Sequence, residues 1–398
     1  MKKHLLLILF IPIFSYTFSQ EFYTLKRIVL DSKNKDRISY ASIGVKEKSI
    51  GTYADANGYF EFHFPSEFLE DTLYISALGY SVYKVKLSDA IKDPSDFILI
   101  NSHPILLKET LILSKKDSAG IILKKAVSNI KKNYSNTPYN VEAYYSEFIQ
   151  EDQSFVRAIE AALDMYYDGI KYPVFSFKSS FQTKIKEERK SEDYIKNPDK
   201  FNNGNNMNLA LKFCSIYFFT SYLKYSHFRI DSITYLNGEL VYKIISLDGS
   251  EYFIIGQNNY AIYKIYDKIS FPATDSNYKY VSFKVDKSHI LTINKIIMSV
   301  DFFRYQNSLY PKLIETIYET TNFDKEMKTK ETSITRFTRI LFNKIIINEV
   351  KEIPKSEQID INKDMFNIDS KYNKEFWDKY NIITDSSISE KVYHEIFK

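Results

Sequence analysis

The tightest constraint in this chain is the run Tyr59-Phe60-Glu61-Phe62-His63-Phe64, closed by Pro65. Phe60, Phe62 and Phe64 fall on one side at period two, and Glu61 and His63 on the other. That alternation is what a strand half-buried against a core requires. Pro65 removes a backbone donor and ends the run. Before it, Asp55-Ala56-Asn57-Gly58 reads as a tight turn, because Asp and Asn tolerate left-handed geometry and Gly58 supplies a positive φ. Leu78-Gly79-Tyr80 forms a second corner. Asp55, Asn57, Gly58, Gly79 and Tyr80 are therefore candidate structural turn residues. Strands are predicted over 23–30, 38–46, 50–53, 72–77 and 81–87, with a closing strand at either 98–100 or 106–114. Such short strands between regular turns indicate a small antiparallel sandwich rather than βαβ units.

The period changes over Asp117–Tyr134. Ile122, Ala126, Val127 and Ile130 recur at helical spacing, with Lys124, Lys125, Lys131 and Lys132 outside, Asp117 or Ser118 at the cap and Pro138 beyond the end. Strand character resumes over 139–188, with long strands at 141–150 and 155–167 and Asp168-Gly169 read as a hairpin turn. The charged and Asn-rich stretch 186–208 reads as a loop, and periodicity leaves 209–225 open between helix and strand. An antiparallel meander is predicted over 228–235, 239–247, 250–256, 260–269, 278–285, 293–304 and 313–319, with one or two further strands in 332–349. In the polar tail, Phe376-Trp377-Asp378-Lys379-Tyr380-Asn381 holds the only Trp. Its large ring predicts docking onto the second domain. Ser387–Phe397 is a short helical candidate.

Composition agrees with a strand-rich protein: 33 Tyr and 30 Phe favour pleated surfaces. The 54 basic and 50 acidic residues are spread along the chain, with no concentrated basic stripe for nucleic acid. Lys2, Lys3 and the apolar run Leu5–Phe14, followed by Thr17 and Ser19, predict a secretory signal peptide cleaved before Gln20. That run is shorter than the ~20 residues a bilayer span needs. No Cys follows it, so a lipid-anchored lipoprotein is not expected. The single Cys214 lies among large apolar residues and reads as a small buried hydrophobe.

Chemical motifs are sparse. No two of His4, His63, His103, His227, His289 and His394 stand at the spacing of a helical zinc site. No phosphate-binding glycine loop or nucleophile elbow occurs. Asp55 and Asn57 alternate as calcium ligands would, but the remaining ligands of such a loop are missing. Glu160 and Asp164 share a face in either secondary structure and read as a solvated pair. A glycosidase-type carboxylate pair distant in sequence stays open. Tyr-rich strands fit a stacking platform for sugars, an apolar cradle for lipid or peptide, or plain core.

Three segments carry a family resemblance. They are Ile38-Ser39-Tyr40-Ala41-Ser42-Ile43-Gly44-Val45, Gly51-Thr52-Tyr53-Ala54-Asp55-Ala56-Asn57-Gly58-Tyr59-Phe60 and Leu73-Tyr74-Ile75-Ser76-Ala77-Leu78-Gly79-Tyr80. With them, residues 23–110 resemble the carboxypeptidase-regulatory-like domain, a transthyretin-like or prealbumin-like sandwich common in exported proteins of Bacteroidetes-type bacteria. Lys35-Asp36-Arg37 departs from the Pro-bearing turn usual in that family. The remainder resembles the region that accompanies this domain in such proteins. Tyr252-Phe253-Ile254-Ile255 and Tyr260-Ala261-Ile262 are similar to strands of open half-barrels of the lipoprotein-carrier type, which implies a surface able to hold an acyl chain or peptide.

The expected protein is mainly β. A signal peptide (1–19) precedes a prealbumin-like β-sandwich (20–114), a connecting helix (115–137), a larger antiparallel β domain, open half-barrel or sandwich (138–350), and a tail with a short helix (351–398). The expected role is binding or assembly in the cell envelope, at the periplasm or outer membrane, without catalysis, cofactor or metal. Expected partners are an outer-membrane or periplasmic protein, a lipid or a glycan, and no nucleic acid. The alternatives are a hydrolase with dispersed carboxylates in the second domain and a lipid- or peptide-binding carrier.

Overall fold

A computed structural model describes residues 21–103, 115–152, 154–169, 181–191, 206–212, 220, 223–271, 282–284, 289–324, 329–360 and 373–383. The signal-peptide segment, Cys214, His4, His394 and the helical candidate 387–397 lie outside them.

The N-terminal sandwich has two sheets. One is ordered β4 (Tyr59–Pro65), β1 (Phe22–Asp31), β7 (Phe97–Ile100); the other β3 (Gly51–Tyr53), β2 (Ser42–Val45), β5 (Thr72–Ser76), β6 (Tyr83–Lys86). Between them pack Leu25, Val29, Ile43, Phe60, Phe62, Phe64, Leu73 and Ile75. Each buried side chain of this size contributes roughly 1.5–3 kcal/mol. Two expectations are corrected here. β7 runs parallel to β1, so the sandwich is not wholly antiparallel. The strand predicted over 81–87 stops at Lys86, and the chain turns into helix α1 (Leu87–Lys92), which buries Leu87 and Ala90. The alternative closing strand at 106–114 lies outside the described residues.

After α2 (Lys115–Ser128) and α3 (Ile130–Asn133) comes a ten-strand antiparallel sheet. It starts with β8 (Tyr139–Glu151), β9 (Ser154–Tyr167) and β10 (Phe181–Lys190). It continues with β11 (Phe228–Leu236), β12 (Glu239–Ser246), β13 (Glu251–Gly256) and β14 (Ile262–Ser270), and ends with β16 (His289–Tyr305), β17 (Ser308–Asp324) and β18 (Thr329–Ile346). The short β15 (Ser282–Lys284) pairs beside β16. The order is β10-β9-β8-β18-β17-β16-β14-β13-β12-β11, with β10 and β11 as open edges rather than a closed barrel.

The stretch predicted as loop over 186–208 is strand at its start and helix at its end, where α4 (Asn206–Lys212) begins. Only the end of β10, from Lys186, falls in the predicted loop: Phe181, Thr183 and Ile185 alternate toward the core, while the end is held by ion pairs of Arg189 with Glu160 and of Lys186 with Glu142 and Asp164. The connection after Asp168-Gly169 reaches Phe181, so it is no two-residue hairpin, although Gly169 does adopt φ +88°. The segment 332–349 holds a single strand, β18, which ends at Ile346.

Register assigns the two faces. Ile244, Phe253, Ile265, Val300, Ile314, Ile340, Tyr145 and Ala161 form one row across eight strands, all in the core that α2 covers with Ala119, Ile122, Leu123 and Ala126. One residue over, the row reads Lys243, Ile254, Lys264, Asp301, Leu313, Leu341, Tyr144, Ala162. Its last four members pack against Tyr53 of the sandwich and against Trp377, Tyr380 and Ile383. The sandwich and the tail therefore cover the face opposite α2.

Candidate functional site

The predicted turn residues hold the sandwich in shape. Asp55 Oδ1 accepts from the backbone N–H groups of Asn57 (2.8 Å) and Tyr59 (2.9 Å), and Gly58 adopts φ +74°. Gly79 (φ +85°) donates its N–H to Tyr235 O at 2.9 Å, and Tyr80 N donates to Ala77 O. The second corner is thus a contact with the large sheet as well as a turn.

Two residues read from sequence as facing solvent are buried. His63 is covered by the tail, whose Asn381 side chain accepts from His63 N–H (2.8 Å) and donates to His63 O (2.9 Å). Glu61 lies beside the His63 ring and Lys26, and these hold its carboxyl down to about 2. Glu160 is not in a solvated pair with Asp164. It is 1 % exposed, ion-paired to Arg189 at 2.6 Å and hydrogen-bonded by the Tyr144 hydroxyl, and Arg189 in turn stacks over Trp377 at 4.5 Å. Tertiary cover from a distant tail is not readable from local alternation.

A cavity of about 990 Å³ opens between β2 and β5 of the sandwich and the β11–β12 and β16–β17 ends of the sheet. That is within the ordinary size of a small-molecule site. It lies over the charged half of the face whose apolar half is capped by Trp377 and Tyr380. Its walls are aliphatic at Ile43, Val45, Ile50, Leu236 and Ile254, and aromatic at Tyr53, Tyr74, Tyr252 and Phe303. Lys264 and Asp301 are cross-strand neighbours in its wall, joined at 2.8 and 3.0 Å. Burial alone would lower the Lys264 ammonium, but Asp301 outweighs it and holds it above its ordinary range. Burial likewise raises the Tyr53 phenol, and Asp301 adds to the shift.

Sequence reasoning missed Lys312. Its backbone is the extra residue of a bulge: Asp301 pairs with Leu313 and Phe302 with Pro311, which leaves Lys312 outside the ladder. The side chain is 3 % exposed, lines the cavity and donates to Gly51 O of the sandwich (3.1 Å) and Phe342 O of the sheet (2.9 Å). The Phe303 ring lies 5.2 Å below the ammonium. Burial lowers its pKa to about 7. Pro311 was the available signal, since a proline inside a strand pattern marks a bulge.

The hydrolase alternative calls for converging, desolvated carboxyls. Glu251 and Asp267 are register partners, and burial with neighbouring carboxylates raises them to about 7 and about 6. Neither lines the interdomain cavity. Among the described residues, no group of three or more His, Cys, Asp or Glu is placed to hold a metal ion.

Residues 28–112 match the family model described as the CarboxypepD_reg-like domain. None of the curated proteins matches the chain. Among solved structures it is similar to a putative outer membrane lipoprotein-sorting protein domain from Vibrio parahaemolyticus, at 8 % identity over 60 % of this chain and 95 % of that one, with TM-score 0.22. A LolA superfamily protein from Nitrosomonas europaea gives 11 % identity, 60 % and 96 % coverage and TM-score 0.20. A DUF1329 family protein from Desulfovibrio piger gives 8 %, 59 %, 95 % and 0.23. At these values the likeness is recorded as similarity alone.

Proposed function

We propose that this chain is an exported, non-catalytic cell-envelope protein that binds a small amphiphilic ligand between its two domains. The observation that carries this reading is the interdomain cavity of about 990 Å³, whose walls combine aliphatic, tyrosyl and charged side chains from both domains. An apolar enclosure with a few placed polar groups holds an amphiphile by burying its body and orienting its head. The face of the sheet that α2 covers is packed with side chains, which supports the interdomain side as the binding side. The separation of Glu251 and Asp267 from the cavity supports binding over hydrolysis there.

The test is isolation of the full chain from native envelope, solvent extraction and mass spectrometry of what is released. A recovered single- or double-chain lipid is the expected result. Leu78→Trp, which puts an indole in place of the smaller leucine side chain at an exposed position of the cavity wall, should abolish that recovery. Recovery of a glycan instead would replace the lipid as ligand. Equal lipid recovery with the Leu78→Trp protein would remove the cavity from the account.

A further inference from the structure

The interdomain cavity is not electrically balanced. Six basic side chains line it, Arg37, Lys46, Lys48, Lys264, Arg304 and Lys312, against the three acids Glu47, Glu239 and Asp301. The acids are engaged. Asp301 is taken by Lys264, Glu239 accepts from the Tyr263 hydroxyl at 2.9 Å, and Glu47 pairs with Lys46 at 3.3 Å. Lys48 pairs with Asp71 outside the cavity at 3.7 Å. Two cations of the β16–β17 hairpin have no carboxylate among the described residues. Lys312 has only carbonyl oxygens; Arg304 gives Nη1 to Asn307 O at 3.2 Å and lies beside the Tyr263 hydroxyl, while its buried Nη2 has no acceptor in hydrogen-bond geometry there.

Carbonyl dipoles and an aromatic face offset only part of the cost of taking an ammonium out of water, and a full countercharge is what remains missing. A buried guanidinium N–H without an acceptor is a second unmet donor on the same hairpin. Both groups come from one hairpin and border one cavity with aliphatic walls. We infer that the head of the bound ligand is a phosphate or carboxylate anion, held by Lys312 and Arg304, with its apolar body in the cavity. This rests on the interdomain-cavity reading of the function. The anion supplies the acceptor for Arg304 Nη2 and the charge that Lys312 lacks, and charge-assisted hydrogen bonds of this kind are the stronger sort. Because Lys312 also tethers Gly51 O to Phe342 O, the head would bind where the two domains are joined.

The test is calorimetric titration of the full chain with dodecyl phosphate, dodecanoate, dodecanol and inorganic phosphate. The expected result is that dodecyl phosphate and dodecanoate bind on the order of tenfold or more tighter than dodecanol. In Lys312→Met that ratio should fall to near one while dodecanol still binds. Arg304→Gln, at a half-exposed position, should lower the ratio in part and guards against a folding defect in the first variant. Inorganic phosphate binding as tightly as dodecyl phosphate would identify a free anion site instead of a lipid head. Dodecanol binding equal to the anions in the unaltered chain overturns the inference but leaves the cavity reading standing. Binding of none of the three dodecyl compounds overturns both.

Discussion

A lysine held only by carbonyl oxygens makes a definite thermodynamic signature. Burial brings Lys312 from 10.5 down to about 7, so between those values the folded chain binds fewer protons than the unfolded one. Stability should therefore rise as pH climbs through that window, by on the order of a few kcal/mol from this residue. Urea unfolding at pH 7 and pH 9 reads the slope, and Lys312→Met should flatten it. An unchanged slope in the variant would assign the effect elsewhere. The carboxyls of Glu251 and Asp267 work in the opposite direction. They are raised to about 7 and about 6, so the folded chain holds protons that the unfolded chain has released, and stability falls as pH rises from the ordinary carboxyl range toward 7. Glu251→Gln should remove much of that fall when the unfolding midpoint is compared at pH 4.5 and 7. Neither site was legible in the sequence: Lys312 is buried against Gly51 and Phe342, far off in the chain, and Glu251 meets Asp267 only through the β13–β14 register. Only Pro311 hinted that Lys312 would leave the ladder.

At the scale of elements, the β2–β3 hairpin is closed by backbone contact. A Cβ on Gly51 would lie 2.4 Å from Ile43 O and 3.1 Å from Gly44 Cα, and neither is a flexible side-chain end. Gly51→Ala must push β2 from β3, at a cost of about 1–3 kcal/mol, which thermal unfolding would show. It would also displace Gly51 O, one of the two acceptors of Lys312. The sandwich strands were largely legible because Phe60, Phe62 and Phe64 obey period two against an unbroken core. So was the meander from Phe228 onward, where turns such as Asn237-Gly238 punctuate it and Gly238 has φ +80°. β10 was legible only at its start, where Phe181 and Ile185 keep the period; its ion-paired end from Lys186 leaves no apolar period. The burial of His63 and Glu160 was hidden for a related reason: local alternation shows which side of a strand a residue takes, not what later packs on that side.

At the scale of the molecule, residues 373–383 act as a wedge between sandwich and sheet. Helix α5 (Lys374–Trp377) sets Trp377 edge-on to Tyr144 of the sheet and beneath Arg189. The Tyr380 hydroxyl donates to Ala143 O at 2.9 Å, and Asn381 engages His63 of the sandwich on one side and Asn343 of the sheet on the other. Tyr53, Trp377 and Leu341 share one apolar cluster, so the three parts bury surface together. Unfolding the tail alone would strand that surface and the hydrogen-bonding groups of both domains, which predicts one cooperative transition for the full chain. Trp377→Ala should cost about 3–5 kcal/mol by removing a buried indole. Trp377 is the only tryptophan, so its fluorescence in the unaltered chain reports tail docking directly. In denaturant, that signal and the far-ultraviolet signal of the sheets should change together. Truncation after residue 372 should then split the far-ultraviolet curve into two transitions, one for the sandwich and one for the sheet. A truncated chain that still unfolds in a single step, at the midpoint of the intact one, would show that the domains are coupled without the wedge.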